Sequence, residues 1–378
     1  MNPDQRKSHS PRHARFACRF QAVRWLLMFC GFMAASALPA QVTLKADGPG
    51  NTYELIDSAL GGGAEEVPDC SDTAFGRHIS EAFDDVLGKY VFIFQMHVAP
   101  DNDRCINFDR QRNEIKTYGP SPAYVKGFYG DFCSYRWKFK LDAAFQPSPS
   151  FTHIHQIKAG DGTDADLPLM TISPRSATPE RVEIIYTAPA GLSGSGTKAT
   201  APLANFKGQW IEAFEQVLYA TNGTYQLTLR RVSDGVVLLS YTNNNINMWR
   251  GDATFNRPKW GIYRSLNNPS YLRDEQVRFA DFCIAKGNDF CPSDISTPVP
   301  RISTPVIVSA GAIVFSAGNG VPGATCYVLT STNLTLPLTN WTIVATNVFD
   351  GNGNFTATNS LPANVSSQYF LLQTIKSF

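Results

Sequence analysis

Net charge is almost absent from this sequence. Its 33 Lys and Arg residues face 32 Asp and Glu over 378 positions, so composition gives no bulk attraction to nucleic acid or to an anionic membrane surface. Any charge-based recognition must be local. Long apolar runs are missing too. The run Trp25-Leu26-Leu27-Met28-Phe29-Cys30 is shorter than the ~20 residues a membrane span needs. It follows Arg12, Arg15, Arg19 and Arg24 and precedes Ala34, Ala35, Ser36 and Ala37, the order of a secretory signal, and cleavage is expected near Ala40. Residues 1–40 thus read as a signal peptide and the remainder as a secreted, extracellular protein. Helical periodicity is scarce, and no cysteines stand in the short paired spacing with histidines that a zinc site needs.

Export changes the meaning of the cysteines, because oxidising compartments let disulfides persist. Cys18 and Cys30 leave with the signal, and Cys70, Cys105, Cys133, Cys283, Cys291 and Cys326 remain. Cys326 lies alone near the end of the chain. The other five form at most two bridges, with Cys70–Cys105 and Cys283–Cys291 the expected pairs and one thiol left over.

Turn residues and short apolar runs are what the sequence has in abundance. Between residues 43 and 292 they alternate, with strands expected at 90–97, 113–118, 134–141, 152–158, 169–172, 181–186, 209–219, 224–231, 236–242, 259–264 and 277–286. So many strands imply an all-β fold, a two-sheet β-sandwich or jelly roll. A Pro, Ser and Thr-rich stretch at 293–305 reads as a linker. Beyond it, Asp350 and Lys376 are the only charged residues of 306–378, which marks a second, small all-β module. Within it Asp350-Gly351-Asn352-Gly353 is expected to form a hairpin turn.

Three strand-like segments carry candidate chemistry. In Arg110-Gln111-Arg112-Asn113-Glu114-Ile115-Lys116, strand alternation puts Arg110, Arg112, Glu114 and Lys116 on one face. Either that face is solvated, with ion pairs to its neighbours, or it grips uronate carboxylates, which suit the planar fork of Arg. In Thr152-His153-Ile154-His155-Gln156-Ile157-Lys158, the same rule aligns His153 with His155. A histidine titrating near neutrality suits a general base, whereas two ligands alone are a weak metal signal. In Lys259-Trp260-Gly261-Ile262-Tyr263-Arg264, Lys259, Gly261 and Tyr263 share a face, and Gly261 is expected to leave room for a ligand. His97 and Gln95 share a face of a further strand. Trp249 and Arg250 are candidates for stacking on a sugar.

These segments resemble polysaccharide lyases. Arg112-Asn113-Glu114-Ile115-Lys116 resembles an Arg-[Ser/Thr]-Glu-[Leu/Val]-Arg strand of alginate lyases, His153-Ile154-His155 their Gln-Ile-His strand, and Lys259-Trp260-Gly261-Ile262-Tyr263 their Lys-Ala-Gly-x-Tyr strand. Longer runs are similar to the cellulose-induced, lyase-like secreted proteins of cellulolytic fungi and their bacterial relatives, which are themselves similar to glucuronan lyases. Those runs are Phe108 to Lys116, Phe151 to Asp161, Arg257 to Ser265 and Arg273 to Arg278, with Val67-Pro68-Asp69-Cys70 and Asp103-Arg104-Cys105.

The resemblance implies β-elimination on a uronic-acid polysaccharide, glucuronan before alginate. In this reaction C5 loses its proton and the bond at O4 breaks without water. It implies Arg112 as carboxylate neutraliser, with Lys259 and His153 assisting, and His155 and Tyr263 as base and acid. Glu114 would orient Arg112. Lys116, Arg110, Gln95 and His97 would contact substrate, His97 serving as an alternative base. It also implies a structural calcium ion, with Glu54 and Asp281 as ligands. A non-catalytic carbohydrate-binding protein is the alternative, since a jelly roll serves both trades. A glycoside hydrolase would need a second carboxylate facing Glu114. An acidic polysaccharide is the only expected partner, and the chain is read as a monomer.

Overall fold

Alternation is visible in the way the strands bury themselves. Along Phe132–Leu141, Cys133, Tyr135, Trp137, Phe139 and Leu141 are all 0 or 1 % exposed, one face turned wholly inward as the two-residue repeat of a strand dictates. Along Gly223–Arg231, Tyr225, Leu227 and Leu229 point inward while Gln226, Thr228 and Arg230 stay half-buried. Two sheets built from such strands cover each other's apolar faces. A large side chain buried this way contributes roughly 1.5–3 kcal/mol.

The computed structural model describes residues 41–293, 300–309, 311–320, 323–361 and 367–374. The expected signal segment lies outside them. Among the described residues no helix is long and apolar enough to cross a membrane.

The chain opens with β1 (Gln41–Leu44), the helix α1 (Thr52–Leu60), β2 (Glu65–Glu66), β3 (Ile79–Asp84), β4 (Lys89–Met96) and β5 (Arg110–Lys116). Next come β6 (Phe132–Leu141), β7 (Thr152–Ala159), β8 (Pro168–Arg175), β9 (Arg181–Tyr186) and β10 (Gly196–Pro202). The sandwich ends with β11 (Trp210–Leu218), β12 (Gly223–Arg231), β13 (Val237–Ile246), β14 (Asn256–Ser265) and β15 (Glu275–Lys286). One sheet runs β10-β9-β8-β7-β14-β5-β2, and the other β13-β12-β11-β6-β15-β4-β3 with β1 on β15. All pairs are antiparallel. Every strand expected from the sequence of this region is present.

The topology places β5, β14 and β7 side by side although 35 to 139 residues of chain separate them. These are the three segments that carry the candidate chemistry. The core between the sheets is filled from this side by Ile115, Ile154, Ile157, Trp260 and Ile262, and from the other by Tyr135, Trp137, Phe139, Leu227 and Phe279. Cys70–Cys105 and Cys283–Cys291 are both bridged, leaving Cys133 and Cys326 as buried thiols.

The small C-terminal module holds β16 (Arg301–Ser309), β17 (Ala312–Gly318), β18 (Thr325–Ser331), β19 (Thr342–Val348), β20 (Phe355–Ser360) and β21 (Tyr369–Thr374). They form two three-stranded sheets, β16-β17-β20 and β19-β18-β21. Strand structure therefore starts at Arg301, inside the expected linker. The Asp350 turn does form, with the Asp350 carboxylate accepting from the amides of Asn352 and Asn354. It is not a hairpin, because β19 and β20 pair with different partners and the turn carries the chain between sheets.

Candidate functional site

On β5 the alternation is regular. Ile115 points into the core, and Asn113 donates inward to the carbonyls of His78 and Gln95, so Arg110, Arg112, Glu114 and Lys116 share the outer face. On β14, Trp260 and Ile262 fill the core and Lys259 and Tyr263 turn outward. Tyr263 pairs with Arg112, Gly261 with Glu114 and Lys259 with Lys116.

Gly261 is required by this packing, but not for the reason expected from the sequence. Its φ is 149°, and a Cβ there would run into the Asn113 carbonyl and lie 2.6 Å from Glu114 Cα. The space beside it belongs to the β5 backbone and not to a ligand.

The β7–β14 pairing shifts register between Trp260 and Tyr263, so that three residues of β14 span what two residues of β7 span. Such a bulge breaks the parity rule. His153 lies opposite Tyr263 on the outer face, whereas His155 lies opposite Trp260 and faces the core. His155 is fully buried, 4.4 Å from the Trp137 ring centroid, with Nε2 3.0 Å from Glu215 Oε2 of the other sheet. Glu215 also accepts from the Tyr225 hydroxyl at 2.7 Å. The expected alignment of His155 with His153 is therefore incorrect, and His155 does not reach the outer face.

The outer face holds a dense ion network. Arg112 donates to Glu114 at 2.5 Å and to Asp103 at 3.0 Å, and lies 3.7 Å from Glu66. Lys259 binds Glu66 and lies 2.7 Å from Glu114. Lys116 and Arg104 reach Glu66 at 2.7 and 2.8 Å, and Gln156 donates to Glu114. Burial works to raise the Glu114 pKa, but Lys259 and Arg112 overcome it and hold the carboxyl down at about 2. Glu66 is likewise held low by Lys259, Arg112, Lys116 and Arg104 against its own burial. Both carboxylates are ionised at any working pH.

Above this network stands Tyr263, half-buried. The Arg112 guanidinium lies 3.7 Å from its ring centroid, a cation–π contact. Arg110 donates to the Tyr263 hydroxyl at 2.9 Å. The His153 and Phe151 rings sit 6.0 and 5.0 Å from the Tyr263 ring. His153 Nδ1 is 2.7 Å from Ser173 Oγ. Its pKa is pushed down to about 4, first by burial and then by Arg175, Arg112 and Lys158, with Glu114 opposing. The imidazole is neutral at physiological pH.

Two cations that carried no assigned role join this face. Lys158 donates to the Asp166 carbonyl at 2.9 Å, and its pKa falls to about 7 through burial and the neighbouring Lys259, Arg112 and Arg257. Arg257 is pushed down by burial, and its Nε has no hydrogen-bond partner. Alternation from an outward His155 would turn Lys158 inward, and the shifted register turns it out. The missed Glu66 sits on a two-residue strand, too short to show any periodicity.

Other expected residues go elsewhere. Gln95 belongs to β4 of the opposite sheet, and His97 just beyond it packs with Phe75, His78 and Asp101. Trp249 is buried against Tyr129, and Arg250 is committed to the carbonyls of Leu167 and Pro168. The side chains expected to bind calcium are engaged in ion pairs. Glu54 is held in a two-bond pair with Arg77, and Asp281 by Lys89 and Lys138. Neither joins a group of three ligand side chains among the described residues.

No family model matches the chain, and no curated protein matches it. The closer fungal resemblance therefore rests on its motifs alone. Among solved structures, the chain is similar to an endo-β-1,4-glucuronan lyase from the fungus Trichoderma reesei, at 18 % identity and TM-score 0.40, covering 55 % of this chain and 86 % of that one. A PL-14 alginate lyase from Aplysia kurodai is 11 % identical with TM-score 0.45, covering 65 % and 98 %. An alginate lyase from Pseudomonas aeruginosa is 14 % identical with TM-score 0.40, covering 59 % and 97 %. Likeness at this distance carries no statement about chemistry.

Proposed function

We propose that this protein is a polysaccharide lyase that cleaves a uronic-acid polymer by β-elimination, with Tyr263 at the reacting centre. The observation that carries the reading is the Tyr263 hydroxyl held by Arg110, with Arg112 against its ring and neutral His153 across the strand pair. β-Elimination needs a stabilised carboxylate, a proton acceptor at C5 and a proton donor at O4. Tyr263 serves as the donor, its hydroxyl held in place by the Arg110 guanidinium. His153 serves as the acceptor, and although burial is the main cause of its low basicity, an anionic substrate offsets the contribution of the neighbouring cations.

The carboxylate-binding role falls to Lys158 and Arg257, because Arg110 is held at Nε and Nη2 by Asp109 and at Nη1 by the Tyr263 hydroxyl. Arg112 is held at Nε by Asp103 and at Nη1 by Glu114 with its guanidinium against the Tyr263 ring, so its role is to position Tyr263. Lys259 and Lys116 are likewise engaged by Glu66 and Glu114, and they hold the network in place. The face keeps a cationic surplus, which favours an acidic glycan. Glucuronan is the first substrate to test and alginate the second.

Hydrolysis is disfavoured by the same network. A glycosidase acid must hold its proton near neutrality, whereas Glu114 and Glu66 are both pulled well below the usual carboxyl range.

The test is to incubate the protein with glucuronan and alginate and follow the ultraviolet absorbance of the unsaturated uronyl end. Tyr263→Phe should abolish the signal with an unchanged circular dichroism spectrum. Polyuronate binding without any absorbance rise would favour a carbohydrate-binding protein instead.

A further inference from the structure

His97, Asp72, His78 and Asp101 gather where the chain enters β3 and leaves β4, and none of them pairs with the ion network around Tyr263. One ligand atom from each can be chosen so that all four lie within 4.8 Å of one another. His78 Nε2 is 3.1 Å from Asp101 Oδ1, and His97 Nδ1 is 3.2 Å from Asp101 Oδ2 and 3.8 Å from Asp72 Oδ2. Four ligands about 2.0–2.2 Å from a tetrahedral zinc ion stand about 3.3–3.6 Å from one another. The three separations bracket that edge.

The partners behind these atoms are arranged as they are around bound transition metals. A metal-ligating histidine donates its second nitrogen to a carboxylate or carbonyl, which fixes the ring and its tautomer. His78 Nδ1 is 2.9 Å from Asp69 Oδ1 and 3.0 Å from the Gly76 carbonyl, which leaves Nε2 for the centre. Asp101 is fixed by the His97 amide, which donates to Oδ2 at 2.6 Å. Asp72 accepts from the Phe75 amide through Oδ1, leaving Oδ2 turned toward His97. His97 Nδ1 is buried, and despite its two carboxylate neighbours it makes no hydrogen bond. Phe75 packs against both imidazoles, at 4.4 and 4.8 Å, and Cys70–Cys105 ties together the two loops that supply Asp72 and Asp101.

We infer that these four side chains form a binding site for one divalent transition metal of the zinc class. Two imidazoles and two carboxylates balance the charge of a dication and favour such a metal over calcium, which prefers oxygen ligands alone. The ion would clip the Asp72 turn to the Asp101 loop. That loop also carries Asp103, the partner of Arg112. The site is independent of the lyase reading.

The test uses the full chain stripped with a chelator, then titrated calorimetrically with zinc and, separately, with cobalt(II) followed by visible absorption. One equivalent should bind, raise the thermal midpoint, and give the intense ligand-field bands of a four-coordinate cobalt site. His97→Gln and Asp72→Asn, both at half-buried positions, should each weaken zinc binding by at least about tenfold while keeping the apo circular dichroism spectrum. Asp69→Asn should weaken it about 10–100-fold through His78. Absence of stoichiometric zinc or cobalt binding would overturn the inference. So would undiminished binding in the His97→Gln/Asp72→Asn double variant, or binding of calcium in preference to zinc.

Discussion

Arg110 reaches across from β5 to place its guanidinium 2.9 Å from the Tyr263 hydroxyl on β14. A permanent cation at that distance favours the charge that grows on the phenol oxygen as its proton leaves. Arg110→Met should lower kcat by about 10²–10³, the cost of removing one such donor in other enzymes. Steady-state kinetics on glucuronan checks this, and an unchanged kcat would remove Arg110 from the transition state.

Lys158 gives the site a pH dependence of defined sign. With a pKa near 7, its ammonium is charged below that pH and lost above it, so carboxylate binding weakens as pH rises. KM should climb above about pH 7 in the natural protein. Lys158→Arg should flatten that rise, because a guanidinium stays charged. A KM indifferent to pH in both proteins would place Lys158 outside substrate contact.

His153 and His155 separate catalysis from stability. His155→Ala opens a cavity beside Trp137 and leaves Glu215 buried without its imidazole, which should cost about 3–5 kcal/mol. Activity per folded molecule should persist. His153→Ala should do the reverse, with little change in thermal midpoint and a kcat lower by about 10²–10⁴. Measuring both quantities on both variants decides which face of β7 does chemistry.

That contrast also shows where sequence reading succeeds and where it stops. On β5 and β14 the two-residue repeat is unbroken, so Arg110, Arg112, Glu114 and Tyr263 could be assigned one face from their numbers alone. On β7 one bulge inverts the result for His155 and Lys158. A bulge is a property of the pairing between strands, and nothing within Thr152–Ala159 announces it. Gly261 was the nearest signal, since an unbranched backbone inside a strand often marks a bulge. Glu66 was illegible for a different reason. Its position follows from β2 reaching the sheet edge, a contact made across 48 residues of chain with Glu114.

Gly261 itself yields a prediction. Ala there would adopt a φ that L residues rarely take and would press its Cβ into the β5 backbone. Gly261→Ala should destabilise the fold by about 3 kcal/mol or more and displace Tyr263. Chemical denaturation measures the first effect, and the lyase assay the second.

Glu275, at the start of β15, adds a pH dependence of stability that lies outside the candidate site. Its Oε1 accepts from the Gln146 amide at 2.8 Å, while buried Oε2 has no partner. Burial raises its pKa from 4.5 to about 7, with Arg273 and Arg264 only partly opposing. Because the folded state prefers the protonated form, its contribution is fully present below about pH 4.5 and is lost as pH rises through about 7. The difference is on the order of 3 kcal/mol. Glu275→Gln keeps the acceptor for Gln146 and removes the buried charge. The variant should therefore be more stable than the natural protein at pH 8 and nearly equal to it at pH 4.5. Urea denaturation at the two pH values tests this, and equal gains at both would show that burial of the charge is not the cause.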